Sequence, residues 1–214
     1  MKRLLLTRTN HDIGNQYLYA YSEEIIADAK DHNWTVNTVE NEKNNQKEIH
    51  SRIKKTKPTL IVFNGHGNTD HICGYKNDCL VDVDSAYLLT KTLVFARSCS
   101  ALKELGKEAI KNGCIAFIGY NAEFRIPWVH EFVTIPLQDP TARPVLEVSN
   151  IVAKQLLKGS PVKVAVATAK KKASELILRM LASEEPYDSA AFRALVLNHL
   201  GLDSEGNIDA ACFS

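Results

Sequence analysis

The amino-acid sequence predicts an α/β fold of three layers, with a mainly parallel central sheet flanked by helices. Thr59 to Gly67 reads TLIVFNGHG and Thr92 to Ser100 reads TLVFARSCS, and the apolar residues in each are continuous rather than alternating. That is the pattern of strands buried on both faces of a parallel sheet. The second run is followed by Leu102, Leu105, Ala109 and Ile110 at helical spacing, an Asn112-Gly113 stop, and another apolar run, CIAFIGY. A strand, a helix and a strand in that order read as a βαβ unit, whose crossover is expected to be right-handed.

The remaining elements follow in chain order. Lys2 to Thr7 reads as a strand and Ile13 to Asp31 as an amphipathic helix. Trp34 to Val39 alternates as a second strand. In the polar stretch Asn41 to Lys57, Ile49 and Ile53 lie four apart, giving a surface helix with one narrow buried stripe that ends before Pro58. Between the two continuous runs, HICGYKNDCLVDV reads as two short β pieces around a Lys-Asn-Asp turn, a small excursion hairpin, and Ser85 to Thr90 as a short helix returning to the sheet. Residues 121 to 144 contain Pro127, Pro136, Pro140 and Pro144 and read as a long irregular loop around Trp128 and Phe132. Val145 to Leu157, Val162 to Ala182 and Asp188 to Leu200 read as helices, followed by a polar turn and a short tail.

The chain of 214 residues is expected to form one domain: a sheet core over 1–120, the loop over 121–144 and a helical part over 145–214. Apolar residues at 45% and charged residues at 24% are globular values that exclude a disordered chain. A net charge of +1 gives no nucleic-acid footprint, and the clusters Lys54, Lys55, Lys57 and Lys170 to Lys172 read as solvated helix surfaces. The five cysteines, an odd number without a CxxC, argue against a disulfide framework or a zinc site. The three-leucine run at the amino terminus is too short for a signal peptide, and no later run is long enough to span a membrane. A cytoplasmic protein with reduced thiols, and without metal or cofactor, is therefore expected.

Both continuous runs end in a residue with chemistry to offer, His66 and Cys99. Ligands of open parallel sheets gather at the carboxyl ends of the strands. If these two strands are neighbours, an imidazole and a thiol meet there, as a cysteine nucleophile and its base require. A helix beginning near Ala101 is expected to lower the Cys99 pKa through its dipole. The backbone N–H groups of Gly67 and Cys99 are the candidates for an oxyanion hole, with Gly67 leaving room for a substrate backbone. Asp70 is a candidate to orient His66, weighed against a solvated loop carboxylate. His71, Cys73 and Cys79 fall in the hairpin at irregular spacing and read as structural, Cys114 reads as core, and His11, His32, His50, His130 and His199 show no partner pattern.

A strand ending in His-Gly, an intervening hairpin, and a strand ending in Ser-Cys before a helix resemble the caspase-like cysteine peptidases of clan CD. The bacterial CHAT group is the most similar branch, and gingipain-type peptidases are also similar. The resemblance covers Lys2 to about Tyr120 and rests on Asn64-Gly65-His66-Gly67 and Arg97-Ser98-Cys99-Ser100. It implies a caspase-like sandwich and a His66/Cys99 dyad that hydrolyses peptide bonds of a protein partner through a thioacyl-enzyme. It also implies places for substrate binding: Arg97, two before the nucleophile, Asp12 after the first strand, and Asn121 and Glu123 after the strand that follows Cys99. Regulation would come from a separate activator protein or a homodimer, with self-cleavage in the 121–144 loop as a further route. The competing readings are a catalytically inactive caspase-like or flavodoxin-like binding module, and a serine hydrolase using Ser98 or Ser100, for which the GxSxG pattern is missing.

Overall fold

The computed structural model describes residues 2–184 and 186–213. The elements in chain order are β1 (Arg3–Arg8), α1 (Ile13–Asp31), β2 (Thr35–Glu40), α2 (Gln46–Thr56), β3 (Leu60–Asn64), β4 (His71–Cys73), β5 (Cys79–Asp82), β6 (Leu93–Arg97), α3 (Lys107–Lys111), β7 (Ala116–Tyr120), α4 (Arg143–Leu157), α5 (Val162–Ala182), α6 (Ser189–Gly201) and β8 (Leu202–Gly206). Six strands form one sheet in the order β2-β1-β3-β6-β7-β8, and β4 and β5 form a separate antiparallel hairpin. All neighbours in the large sheet are parallel except β7 and β8. The expected mainly parallel, helix-flanked sheet is the observed one.

The strands are buried on both faces because each contributes side chains to two cores. Leu4, Leu6, Leu60, Val62, Leu93 and Phe95 pack beneath α1, α4 and α5. Leu5, Ile61, Phe63, Val94 and Ala96 pack on the opposite side against Ile49 and Ile53 of α2 and Ile72, Leu80 and Val81 of the hairpin. Continuous apolar strands are the consequence of this two-sided cover.

Two local features depart from the sequence reading. Residues after Cys99 do not enter an α-helix: Ser100 is left-handed (φ 55°), Leu102–Gly106 form a turn of π-helix, and α3 starts only at Lys107. The tail after α6 is a strand and not a polar turn, since β8 pairs along the whole of β7. Its sequence, LDSEG, carries no apolar alternation because it lies at the sheet edge. With α4 starting at Arg143, residues 121–142 form an irregular loop that makes short 3-10 turns at His130–Phe132 and Pro136–Gln138 and is tied down by Asp139. This fully buried carboxylate accepts hydrogen bonds from the Tyr17 hydroxyl (2.5 Å) and from the N–H groups of Val129, Thr141 and Ala142 (2.9, 2.8 and 3.2 Å).

Candidate active site

Main-chain register brings the two chemical residues together. β3 and β6 are adjacent and parallel, with Asn64 opposite Arg97. Each chain continues two residues beyond that pair, one to His66 and the other to Cys99. The two tails are stitched by the Ser98 hydroxyl, which donates to the His66 carbonyl (3.0 Å), and by the Gly65 N–H, which donates to the Arg97 carbonyl (3.4 Å). The hairpin braces the histidine tail through the Cys73 N–H, which donates to the same His66 carbonyl (2.8 Å).

Such close approach explains the glycines on either side of His66. A Cβ on Gly65 would lie 2.1 Å from the Cys73 carbonyl oxygen, and one on Gly67 would lie 2.3 Å from the Ser98 hydroxyl and 2.5 Å from the His71 carbonyl oxygen. The space beside Gly67 is therefore filled by the protein itself, where the sequence suggested that a substrate backbone would use it. Among the described residues, the N–H groups of Gly67 and Cys99 donate to no protein acceptor.

The imidazole of His66 is held by Asp12, whose Oδ2 lies 2.9 Å from Nε2. Asp12 caps α1, accepting hydrogen bonds from the Asn15 N–H (2.9 Å) and the Asn15 side-chain amide (2.8 Å). Burial works against the charged carboxylate, but the bonds from Asn15 and His66 outweigh it and hold the carboxyl below its ordinary range. Asp12, expected to contact substrate, holds the histidine and also lines the cleft beside it. Asp70, weighed as an orienter against a loop carboxylate, pairs with His71 Nδ1 at 2.6 Å. His11 is an unforeseen neighbour: its Nε2 lies 3.1 Å from the same Asp12 oxygen, and its ring meets His66 edge-on at 6.4 Å between centroids. The Asp-x-x-Asn cap just past a strand end was a signal that could have found Asp12, whereas nothing in the sequence marks His11.

The Cys99 thiol is half-buried and donates a long hydrogen bond to the Phe124 carbonyl (Sγ to O 3.9 Å). Burial pushes its pKa up, with Glu123 adding to the rise, while the Phe124 contact and Arg125 oppose it. This reverses the sequence expectation, because burial of the thiol dominates.

Two clefts meet at Cys99. One, of about 510 Å³, is lined by His66, Cys99 and the α1 residues Ile13, Gly14 and Leu18. The other, of about 740 Å³, is lined by Gly67, Asn68, Ser100, Glu123 and Arg125. Phe124, Ile126 and Trp128 form the wall between them. Glu123 is thus in a cleft but paired with Arg125 at 2.5 Å. Asn121 lines neither cleft, and its N–H is bonded to the Gly201 carbonyl at the β7–β8 junction. Arg97, expected in a substrate pocket, is fully buried beneath the site. Its guanidinium donates to the Asn64 amide oxygen (2.6 Å), the Asn150 amide oxygen (2.7 Å) and the Ser22 hydroxyl (2.9 Å). Strand alternation does direct it to the same side as Cys99, but α1 and α4 close over it. Desolvation lowers its pKa to about 10. Among the described residues no group of His, Cys, Asp or Glu is arranged to hold a metal ion, and no helix is long and apolar enough to cross a membrane.

No protein-family model matches the chain, and neither does any curated protein. Solved structures do match. The Arg-specific cysteine proteinase gingipain R (RgpB) superposes over 98% of this chain with a TM-score of 0.62 and 11% identity. The complex of Porphyromonas gingivalis RgpB pro- and mature domains gives 0.60 and 10%, also over 98% of this chain. A Geobacter sulfurreducens protein gives 0.50 and 14%, over 80% of this chain and 89% of its own. The chain spans about half the length of the gingipain chains, 47% and 48%. At these identities the likeness establishes the fold, a caspase-like sandwich of the gingipain type.

Proposed function

We propose that the protein is a cysteine endopeptidase that hydrolyses a protein partner, with Cys99 as nucleophile, His66 as general base and acid, and Asp12 as the residue that orients His66. The observation that carries this reading is the register of β3 and β6, which sets His66 and Cys99 at equivalent positions past adjacent strand ends and along one cleft. The same sheet frames the gingipain R proteinase, which supports the choice of reaction class.

The chemistry follows from the contacts. With Nε2 engaged by Asp12, Nδ1 is the ring nitrogen left to take the thiol proton. A thiol whose pKa is raised by burial is not a standing thiolate, so the base has to act as the sulfur attacks the peptide carbonyl. The carbonyl π electrons move onto oxygen, which the Gly67 and Cys99 N–H groups can receive. Collapse breaks the C–N bond, and His66 delivers its proton to the leaving amine. A thioester remains, and water, deprotonated by His66, releases the carboxylate and restores the thiol. Asp12 carries a negative charge against the imidazolium that forms in both halves of the cycle.

The five cysteines are free, which fits a reducing compartment, and a cytoplasmic location, a CHAT-type affiliation and an activator or homodimer belong to the same proposal. A peptidyl acyloxymethyl ketone tests it: the probe should label the wild-type protein and spare Cys99→Ala. Equal labelling of both would remove the assignment and leave the inactive binding module, whose inert buried thiol the raised Cys99 pKa alone would also fit.

A further inference from the structure

We infer that the cleft shared by His66 and Cys99 receives an apolar side chain, so that the enzyme cuts after a leucine-like or phenylalanine-like residue. The inference rests on the peptidase reading and adds its substrate class. Its ground is the division of labour between the two clefts. Gly67, whose N–H is a candidate oxyanion donor, lines the cleft it shares with Asn68 and Ser100 and not the other. The residue before the scissile bond then directs its side chain the other way, into the cavity of about 510 Å³. This cavity is the deeper one, since it reaches Leu18 and Asn15 of α1, which are 4% and 2% exposed.

Its walls are Ile13, Leu18, Phe124, Ile126 and Trp128, with Gly14 leaving open space. Trp128 is 47% exposed and offers an aromatic surface at the cleft. Most of the polar side chains in the lining are already engaged. Asp12 Oδ1 takes the Asn15 N–H, and Asp12 Oδ2 takes the Asn15 amide and His66. The Ser98 hydroxyl is spent on the His66 carbonyl, while the Asn15 amide oxygen is buried without a hydrogen-bond partner. Arg97 is caged below, and the Glu123–Arg125 pair lies in the other cleft. An acidic side chain entering here would lose water and face the Asp12 carboxylate, and a basic one would lose water for a carboxylate already engaged by Asn15 and His66, whereas an apolar one gains by its burial.

The test uses four acyloxymethyl ketones that differ only in the residue next to the reactive group, Leu, Phe, Arg or Asp, with labelling of Cys99 followed by mass spectrometry. Leu or Phe should react at least about tenfold faster than Arg or Asp, the discrimination expected from burying one apolar side chain. Arg or Asp reacting as fast or faster overturns the inference and leaves the peptidase reading intact. No labelling of Cys99 by any probe, in protein of native circular dichroism, overturns the reading and the inference together. Two variants identify the cavity. Ile126→Glu, in a half-exposed extended segment, should raise the Arg-to-Leu rate ratio by about tenfold through a new counter-charge. Gly14→Val, where an added Cβ meets only Asp12 Oδ1 at 3.6 Å, should slow the Phe probe more than the Leu probe. Unchanged ratios in both variants would show that the side chain goes elsewhere and sink the inference.

Discussion

Asp12 serves two purposes, and two substitutions separate them. Its carboxylate lies 2.9 Å from His66 Nε2, with the two side chains 35% and 52% exposed, so the pair is screened largely by water. Charges at that separation in bulk water interact by about 1.4 kcal/mol, about a tenfold effect on rate. Asp12→Asn removes the charge that faces the imidazolium but keeps an oxygen able to cap α1, because asparagine caps as well as aspartate. It should therefore lower kcat/KM about tenfold and leave the melting temperature within a degree. Asp12→Ala removes the cap as well, costing about 1 kcal/mol of stability, which for a chain of this size is about 2–4 °C. Peptide hydrolysis and thermal unfolding of the three proteins, in one buffer at one ionic strength, give both quantities. An Asn variant within twofold of wild type in kcat/KM would refute the orienting role. Equal melting temperatures for Asn and Ala variants would refute the capping role.

Four further outcomes are expected. Arg97→Ala should destabilise the protein by about 3–5 kcal/mol in urea unfolding, because it removes a buried cation and strands the Asn64, Asn150 and Ser22 groups that receive it; a loss under 1 kcal/mol would contradict this. Gly67→Ala should cost about 1–3 kcal/mol, since its Cβ would meet Ser98 and His71 at 2.3 and 2.5 Å, and a neutral result would mean that the two tails are less tightly packed than described. Without substrate, the alkylation of Cys99 by iodoacetamide should keep rising with pH beyond the ordinary thiol range, as burial raises its pKa; a plateau below pH 7 would demonstrate a standing thiolate. The Asp12 carboxyl titrates lower in the fold than its unfolded value of 3.8, so its stabilising contribution is present above that value and is lost as pH falls through the lower folded one. Unfolding free energies followed from pH 6 to pH 3 should fall less steeply in Asp12→Asn than in wild type, and parallel curves would contradict the shift.

The sheet was legible from the sequence because its strands are covered on both sides, which makes Leu60 to Phe63 and Leu93 to Phe95 unbroken apolar runs. The same cover placed His66 and Cys99 at strand ends without any alignment. The α2 stripe was as plain, since Ile49 and Ile53 are its buried residues. What escaped was anything settled by packing between distant segments. Arg97 carries a charge, and charge suggests a surface; only the polar groups of Asn64, Asn150 and Ser22 converging from three elements make its burial tolerable. The partner of His66 was sought nearby in the chain at Asp70 and proved to be Asp12, 54 residues away. The segment after Cys99 has helical spacing, yet Leu102–Gly106 widen into a π turn while the Glu104 and Leu105 N–H groups both donate to the Thr69 carbonyl, a tertiary contact that periodicity does not encode. β8 escaped for the opposite reason, since a solvent-facing edge strand needs no apolar pattern.

That last strand bears on how copies of the protein could meet. β8 closes one side of the large sheet with a five-residue border, Leu202–Gly206. Were a second molecule to continue the sheet there head to tail, centred on Ser204, Asp203 of each would sit opposite Glu205 of the other, like charge against like. A short acidic hem of this kind resists growth of the sheet from one molecule to the next in that register.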